Sequence, residues 1–209
     1  MDNSGKGGGS SDRMSLVISL FALVASGATL YYQFWRGPVV RAYPSHKVYL
    51  SKSRQIGVPV AFTNAGTAAD VVTEGSLDLT RDAQGPSWAF DLRWVSPFEQ
   101  RFSFENGKWT EAEQVYSPFT SLSLKAGDTD AEVFWFEPQS GNFSFQPGRY
   151  TACTHFVSAE KKTIPSGEKI GKSGPQQDCS SFITFELDSG MLGILNGGSQ
   201  DNVALDVKE

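Results

Sequence analysis

The chain is poor in the residues from which soft-metal and nucleophilic sites are built. It holds two histidines and two cysteines among 209 residues. There is no C-x-x-C and no closely spaced histidine pair, so the usual ligand spacings of a structural zinc site are missing. G-x-S-x-G, H-E-x-x-H and G-x-x-x-x-G-K-[ST] are absent too, which removes the signatures of an elbow hydrolase, a zincin and a P-loop protein. Basic residues are outnumbered 18 to 23, for a net charge of −5. A domain without a basic excess has little with which to neutralise phosphates, so nucleic acid is not an expected partner. Past residue 38 no window carries three turns of helical periodicity with caps, which argues against a parallel α/β fold.

Charge is also missing from Ser15–Trp35, 21 residues long, with Leu20, Ala25 and Leu30 in its interior. As a helix it would cross a hydrocarbon core of roughly 30 Å. Two readings compete. Leu16–Ala25 preceded by Lys6 and Arg13, with Ser26 and Ala28 as small residues at a cleavage site, follows the plan of a secretory signal. Apolarity resumes, however, as Leu30, Tyr31, Tyr32, Phe34 and Trp35, and Arg36 follows at once. That order is an interfacial aromatic belt closing an uncleaved span, and the anchor is the favoured reading. Lys6 and Arg13 upstream face Arg36, Arg41, Lys47, Lys52 and Arg54 within about 20 residues downstream, so the Lys/Arg bias leans towards a cytoplasmic domain. Initiation at Met14 would sharpen that contrast. Ala22 and Ser26, like Ser15 and Ser19, have the small-xxx-small spacing that lets helices approach closely in lipid. The expected organisation is a flexible leader over 1–14, a transmembrane helix over 15–35, one β domain over 36–188 and an acidic tail over 189–209.

The domain's pattern has period two. Val39–Tyr43, Gln55–Thr63, Val71–Thr80, Trp88–Val95, Ser121–Leu124, Ala131–Phe136, Arg149–Val157 and Ser181–Leu187 read as strands. Asn64-Ala65-Gly66, Ala126-Gly127-Asp128, Ser140-Gly141-Asn142 and Gln146-Pro147-Gly148 read as turns. Trp88, Phe90, Leu92 and Trp94 alternate on one face, and the 96–118 stretch fits either a hairpin around Asn106-Gly107 or a long loop. The expected fold is all-β: a single sandwich of about 7–8 strands behind one N-terminal transmembrane helix.

Val58–Gly66 (VPVAFTNAG), Leu124–Phe136 (LKAGDTDAEVFWF) and Pro147–Tyr150 (PGRY) give the domain a pattern that resembles the Ig-like β-sandwiches of bacterial membrane-tethered proteins. The resemblance implies a tyrosine-corner role for Tyr150. It departs from immunoglobulin domains in its cysteines. Cys153 lies three residues past that tyrosine and no earlier cysteine exists, so the inter-sheet disulfide is absent.

Cys153 and Cys179 flank a long connection. A bridge between them would close a 27-residue loop and contribute roughly 3 kcal/mol in an oxidising compartment, whereas in the cytoplasm both would be thiols. The cysteines therefore pull against the Lys/Arg bias. Cys153 and His155 share a strand face, which admits a Cys/His nucleophilic or zinc site as well as a plain surface pair. Asp128, Asp130 and Glu132 alternate as a loop calcium site would require, and equally as a solvated strand edge does. The 159–178 connection carries Lys161, Lys162, Lys169 and Lys172 and is the candidate partner loop. Met191–Leu195 is a short apolar patch in the tail.

The sequence reads best as a single-pass anchored β-sandwich acting as a non-catalytic binding or structural interaction module, with no cofactor, no metal and no identified small-molecule substrate. The bilayer, and self-association or a membrane-protein partner through Ala22 and Ser26, are the expected contacts. The alternative is a cleaved secreted or periplasmic sandwich that binds carbohydrate or envelope components, through exposed Trp88, Trp94 or Trp135. An enzyme with a Cys153/His155 site comes third.

Overall fold

The computed structural model describes residues 9–34, 37–82, 85–97, 102–105, 108–111, 116–167, 179–197 and 202–207. Among these residues one long helix, α1 (Gly9–Phe34), precedes thirteen strands and one short helix. Within α1 the span Met14–Tyr32 is long and apolar enough to cross a membrane, and none of it is buried by the rest of the chain. The helix takes in Gly9–Met14, which were expected to be flexible leader. Growing an existing helix costs far less than nucleating a new one, so the apolar run carries its polar neighbours into the same helix.

The strands are β1 (Val40–Pro44), β2 (Lys47–Ser51), β3 (Ile56–Asn64), β4 (Asp70–Arg81), β5 (Ser87–Pro97), β6 (Phe102–Glu105), β7 (Lys108–Glu111), β8 (Ser117–Pro118), β9 (Leu122–Leu124), β10 (Thr129–Pro138), β11 (Gly148–Ser158), β12 (Ser181–Leu187) and β13 (Asn202–Asp206). The all-β expectation holds at that level, but the strand count exceeds seven or eight. Eleven strands form one hydrogen-bonded sheet in the order β12-β11-β4-β5-β10-β3-β2-β13, with β1, β8 and β9 paired alongside, rather than two separate sheets. β6 and β7 pair antiparallel, which is the hairpin rather than the long loop of the two readings of 96–118. The sheet curls until β12 lies against β1 and β13, so it is a nearly closed barrel.

The segment read as an acidic tail is structural. Helix α2 (Ser189–Gly197) is capped by the Asp188 carboxylate, which accepts from the Met191 N–H at 2.7 Å, and it buries Leu195. β13 then pairs antiparallel with β2, Asn202 against Ser51. A strap across the remaining gap comes from the 159–167 connection. Ile164 donates to the Phe156 carbonyl beside β11, and three residues later the strap has crossed to β1, where Gly167 donates to Ala42.

Inward positions follow the pleat: Val58, Val60 and Phe62 on β3, Leu77 and Leu79 on β4, Phe134 and Phe136 on β10, Ala152 and Phe156 on β11, Ile183 and Phe185 on β12. Phe62, Phe134 and Phe156 meet edge to face, with centroids 4.9–5.5 Å apart. One bulge breaks the expected alternation of β5. Trp135 pairs with Trp94 but Phe136 pairs with Leu92, which leaves Arg93 as the extra residue. Trp88, Phe90 and Leu92 therefore pack on the core, whereas Trp94 is turned to the outer face.

Candidate functional site

Three constellations stand out from the packing. The first ties the domain to the segment that follows α1. Asn64 ends β3, is 1% exposed, and uses its whole amide. Its Oδ1 accepts from the N–H groups of Val39 (3.1 Å) and Gly66 (3.0 Å), and its Nδ2 donates to the carbonyls of Ala68 (2.8 Å) and Leu124 (3.2 Å). Ala65 and Thr67 donate to the carbonyls of Val39 and Gly37. A Cβ on Gly66 would lie 2.3 Å from the Gly37 oxygen and 2.4 Å from the Val39 nitrogen, so only glycine permits this approach. The sequence marked Asn64-Ala65-Gly66 as a turn, but gave no sign that it clasps the segment that follows α1.

The second lies on the outer face of β11 and β4. Cys153 and Cys179 are joined by a disulfide, with Cα atoms 5.4 Å apart. His155 Nε2 lies 3.2 Å from Cys153 Sγ and 3.3 Å from Asp78 Oδ2. The pairing of Cys153 with Asp78 across the ladder explains the juxtaposition. A Cys–His–Asp relay would use the two ring nitrogens separately, one facing the sulfur and one the carboxylate. Here both contacts fall on Nε2, and the sulfur is already bonded.

The third is an aromatic cluster outside β10. Trp135 is 0% exposed yet separate from the core. Tyr49 and Tyr116 pack on its ring at 6.2 and 5.4 Å. Its Nε1 donates to Ser96 Oγ at 3.0 Å, and Trp94 Nε1 and Gln55 Nε2 both donate to Glu137 Oε1. A Cβ on Gly57 would meet the Trp135 ring at 2.9 Å. Trp88 is half-buried on the inner side against Phe143 and Trp94 half-buried on the outer side, so Trp88, Trp94 and Trp135 form no exposed row.

The other expected residues are dispersed. Asp128 closes the 125–128 turn by accepting from the Lys125 N–H. Asp130 and Glu132 stand opposite Phe62 and Val60, at the end of the inner face. Burial, and then the Asp130 charge, raise the Glu132 pKa. Among the described residues no group of three or more His, Cys, Asp or Glu is gathered as a metal site. Lys161 adopts a left-handed turn conformation (φ 58°), and Lys162 pairs with Glu160, which raises the lysine's pKa and lowers the carboxylate's. Lys169 and Lys172 lie outside the described residues. Along α1, Ser15, Leu20, Ala22, Ala25, Ser26 and Leu30 are exposed, and Trp35 lies outside the described residues.

No family model and no curated protein matches this chain. Among solved structures, Spo0M, a sporulation control protein from Bacillus subtilis, aligns at 9% identity and a TM-score of 0.28. The alignment covers 60% of this chain and 46% of that one. At that score the likeness carries no argument.

Proposed function

We propose that this chain is a single-pass membrane protein whose β domain stands on the extracytoplasmic side as a non-catalytic binding module. The observation that carries the reading is the joining of a wholly exposed apolar helix, through a hydrogen-bonded linker, to a disulfide-bonded domain. α1 runs unbroken through Ser26-Gly27-Ala28 and on to Tyr31 and Tyr32, the aromatic residues that suit the interfacial end of a retained span. The disulfide supports an oxidising compartment and weighs against the cytoplasmic lean of the Lys/Arg count. The bonded state of Cys153 supports the non-catalytic reading over a Cys153/His155 enzyme. For the fold, Tyr150 Oη donates to the Gln146 carbonyl at 2.8 Å and accepts from its N–H at 3.0 Å. That is the contact of a tyrosine corner, and it supports an Ig-like ancestry for the curled sheet. Ala22 and Ser26 lie on exposed helix, available for pairing in the bilayer.

Alkaline carbonate extraction of cell membranes tests the anchor, and retention in the pellet is expected. Protease treatment of sealed spheroplasts tests the side. Digestion of the domain from outside is expected, and protection until lysis would overturn the orientation.

A further inference from the structure

We propose that Cys153 is the entry thiol of a thiol–disulfide exchange site, with His155 as its positioning residue, through which a disulfide-bearing oxidant closes the Cys153–Cys179 bond. In the cell this role rests on the extracytoplasmic placement proposed above. The two sulfurs have different surroundings. Cys179 is 3% exposed just before β12, whereas Cys153 is half-buried on the outer face of β11. Cys153 has a ring nitrogen at 3.2 Å, and the Asp78 carboxylate lies 3.3 Å from that same nitrogen. Among the described residues, the charged groups that the ladder places around the imidazole are acidic. Asp78 is opposite Cys153, Glu74 is opposite Val157, and Asp91 on β5 is opposite the Ser76 that faces His155. Of these, Asp91 is engaged by Arg93. On the other side β12 offers Phe182 opposite Cys153 and Thr184 opposite Thr151. An imidazole nitrogen 3.2 Å from the sulfur is placed to accept the thiol proton, which leaves the thiolate, the species that attacks disulfides.

The exchange balances in two steps. The Cys153 thiolate attacks one sulfur of the oxidant, forming a mixed disulfide and expelling the oxidant's other sulfur as a thiolate. Cys179, losing its proton, then attacks Cys153 Sγ. The Cys153–Cys179 bond forms and the first oxidant sulfur leaves. The protein pair loses two electrons, the oxidant gains them, and the two cysteine protons finish on its dithiol.

The test uses the full chain in detergent, reduced with dithiothreitol, desalted anaerobically, and pulsed with iodoacetamide from pH 5 to 9. Peptide masses then give a rate for each cysteine. Cys153 should react at least about tenfold faster than Cys179 at pH 7, and its rate should already be on a plateau where an ordinary thiol's is still rising. His155→Gln should lower the Cys153 rate at pH 7 by about tenfold and move its profile to higher pH, leaving Cys179 unchanged. Asp78→Asn should shift the Cys153 profile in the same direction by less. With glutathione disulfide as oxidant, Cys179→Ser should accumulate the mixed disulfide at Cys153, and Cys153→Ser should form it at Cys179 at least about tenfold more slowly. Equal rates at the two cysteines of the unsubstituted chain, or a Cys153 profile like that of a free thiol, would overturn the proposal without any variant having to fold. Because the rates are measured in vitro, their failure is separate from a failure of the spheroplast test.

Discussion

Asn64 offers the sharpest test of how the domain is joined to the segment that follows α1. Replacing it with alanine strands two N–H donors, on Val39 and Gly66, and two carbonyls, on Ala68 and Leu124, at a site that is 1% exposed. A buried polar group left without a partner costs about 1–3 kcal/mol, and a carbonyl with a second lone pair lies at the low end, so Asn64→Ala should lose about 3–5 kcal/mol. With a urea dependence of about 1–3 kcal/mol per molar, that loss is a fall of ~2 M in the unfolding midpoint. Asn64→Asp separates hydrogen bonding from shape. It keeps the acceptor for Val39 and Gly66 but turns an oxygen towards the Ala68 and Leu124 carbonyls, where Nδ2 donated. A carboxylate there is disfavoured and its pKa should rise above the unfolded value. The stability of Asn64→Asp should then be greatest below about pH 4 and fall as pH rises through the folded pKa, relative to the unsubstituted chain. The assay is urea unfolding of the full chain in detergent, followed by tryptophan fluorescence between pH 3.5 and 8. An Asn64→Ala loss under about 1 kcal/mol, or an Asn64→Asp profile parallel to that of the parent, would refute the account of the clamp.

Three further outcomes follow from the same packing. Gly66→Val should free the linker while the barrel still melts cooperatively, with limited proteolysis between Gly37 and Arg41 accelerating; an unchanged digestion pattern would mean that the close approach does not hold the linker. Glu132 is raised by burial and by Asp130, so its ionisation works against the fold and stability should fall as pH rises through its folded pKa; Glu132→Gln should raise the melting temperature at pH 7, with the gain vanishing near pH 4, and a constant gain would assign it to something other than charge. Tyr150→Phe removes a donor and an acceptor of the Gln146 backbone and should cost about 1–3 kcal/mol in urea unfolding, whereas a neutral result would make the corner ornamental.

The strands that alternate over six residues or more were legible, because half-buried pleats write their period directly into the sequence. β3, β4, β10, β11 and β12 lie within two residues of where the pattern placed them. Trp94 was misplaced because a bulge inserts one residue into one strand only, and no local signal on β5 records what β10 does opposite it. β2 and β13 were missed as short partners whose burial depends on each other. Val203 and Leu205, two apolar residues in an acidic stretch, acquire meaning only once a barrel needs closing. At the candidate site, the two cysteines at opposite ends of one connection were visible. Asp78 and Asn64 were not, since cross-strand register and full use of a buried amide arise only in three dimensions.

Four of the five downstream cations, Arg41, Lys47, Lys52 and Arg54, belong to the folded domain. Arg54, in the turn that precedes β3, donates to the Gly141 carbonyl, while the segment that follows α1 joins the domain at that strand's other end, by Asn64. Nine residues of strand at about 3.3 Å each separate the two by roughly 30 Å. Lys52 sits in the same distant turn, and Lys47 is part of β2. Cations built into a folded domain are not flanks of a span, and domains translocate largely regardless of charge. By the same rule Arg41 drops out, since it lies on β1 opposite Thr63, and the count flanking the apolar run is Arg36 against Lys6 and Arg13, one against two. The count then no longer favours the cytoplasm, and under the proposed anchoring it no longer opposes the oxidising compartment that the Cys153–Cys179 bond supports. Exchanging Lys52 and Arg54 for glutamine should therefore leave the spheroplast digestion pattern unchanged. A reversal of sidedness in that variant would restore the charge count as the deciding term.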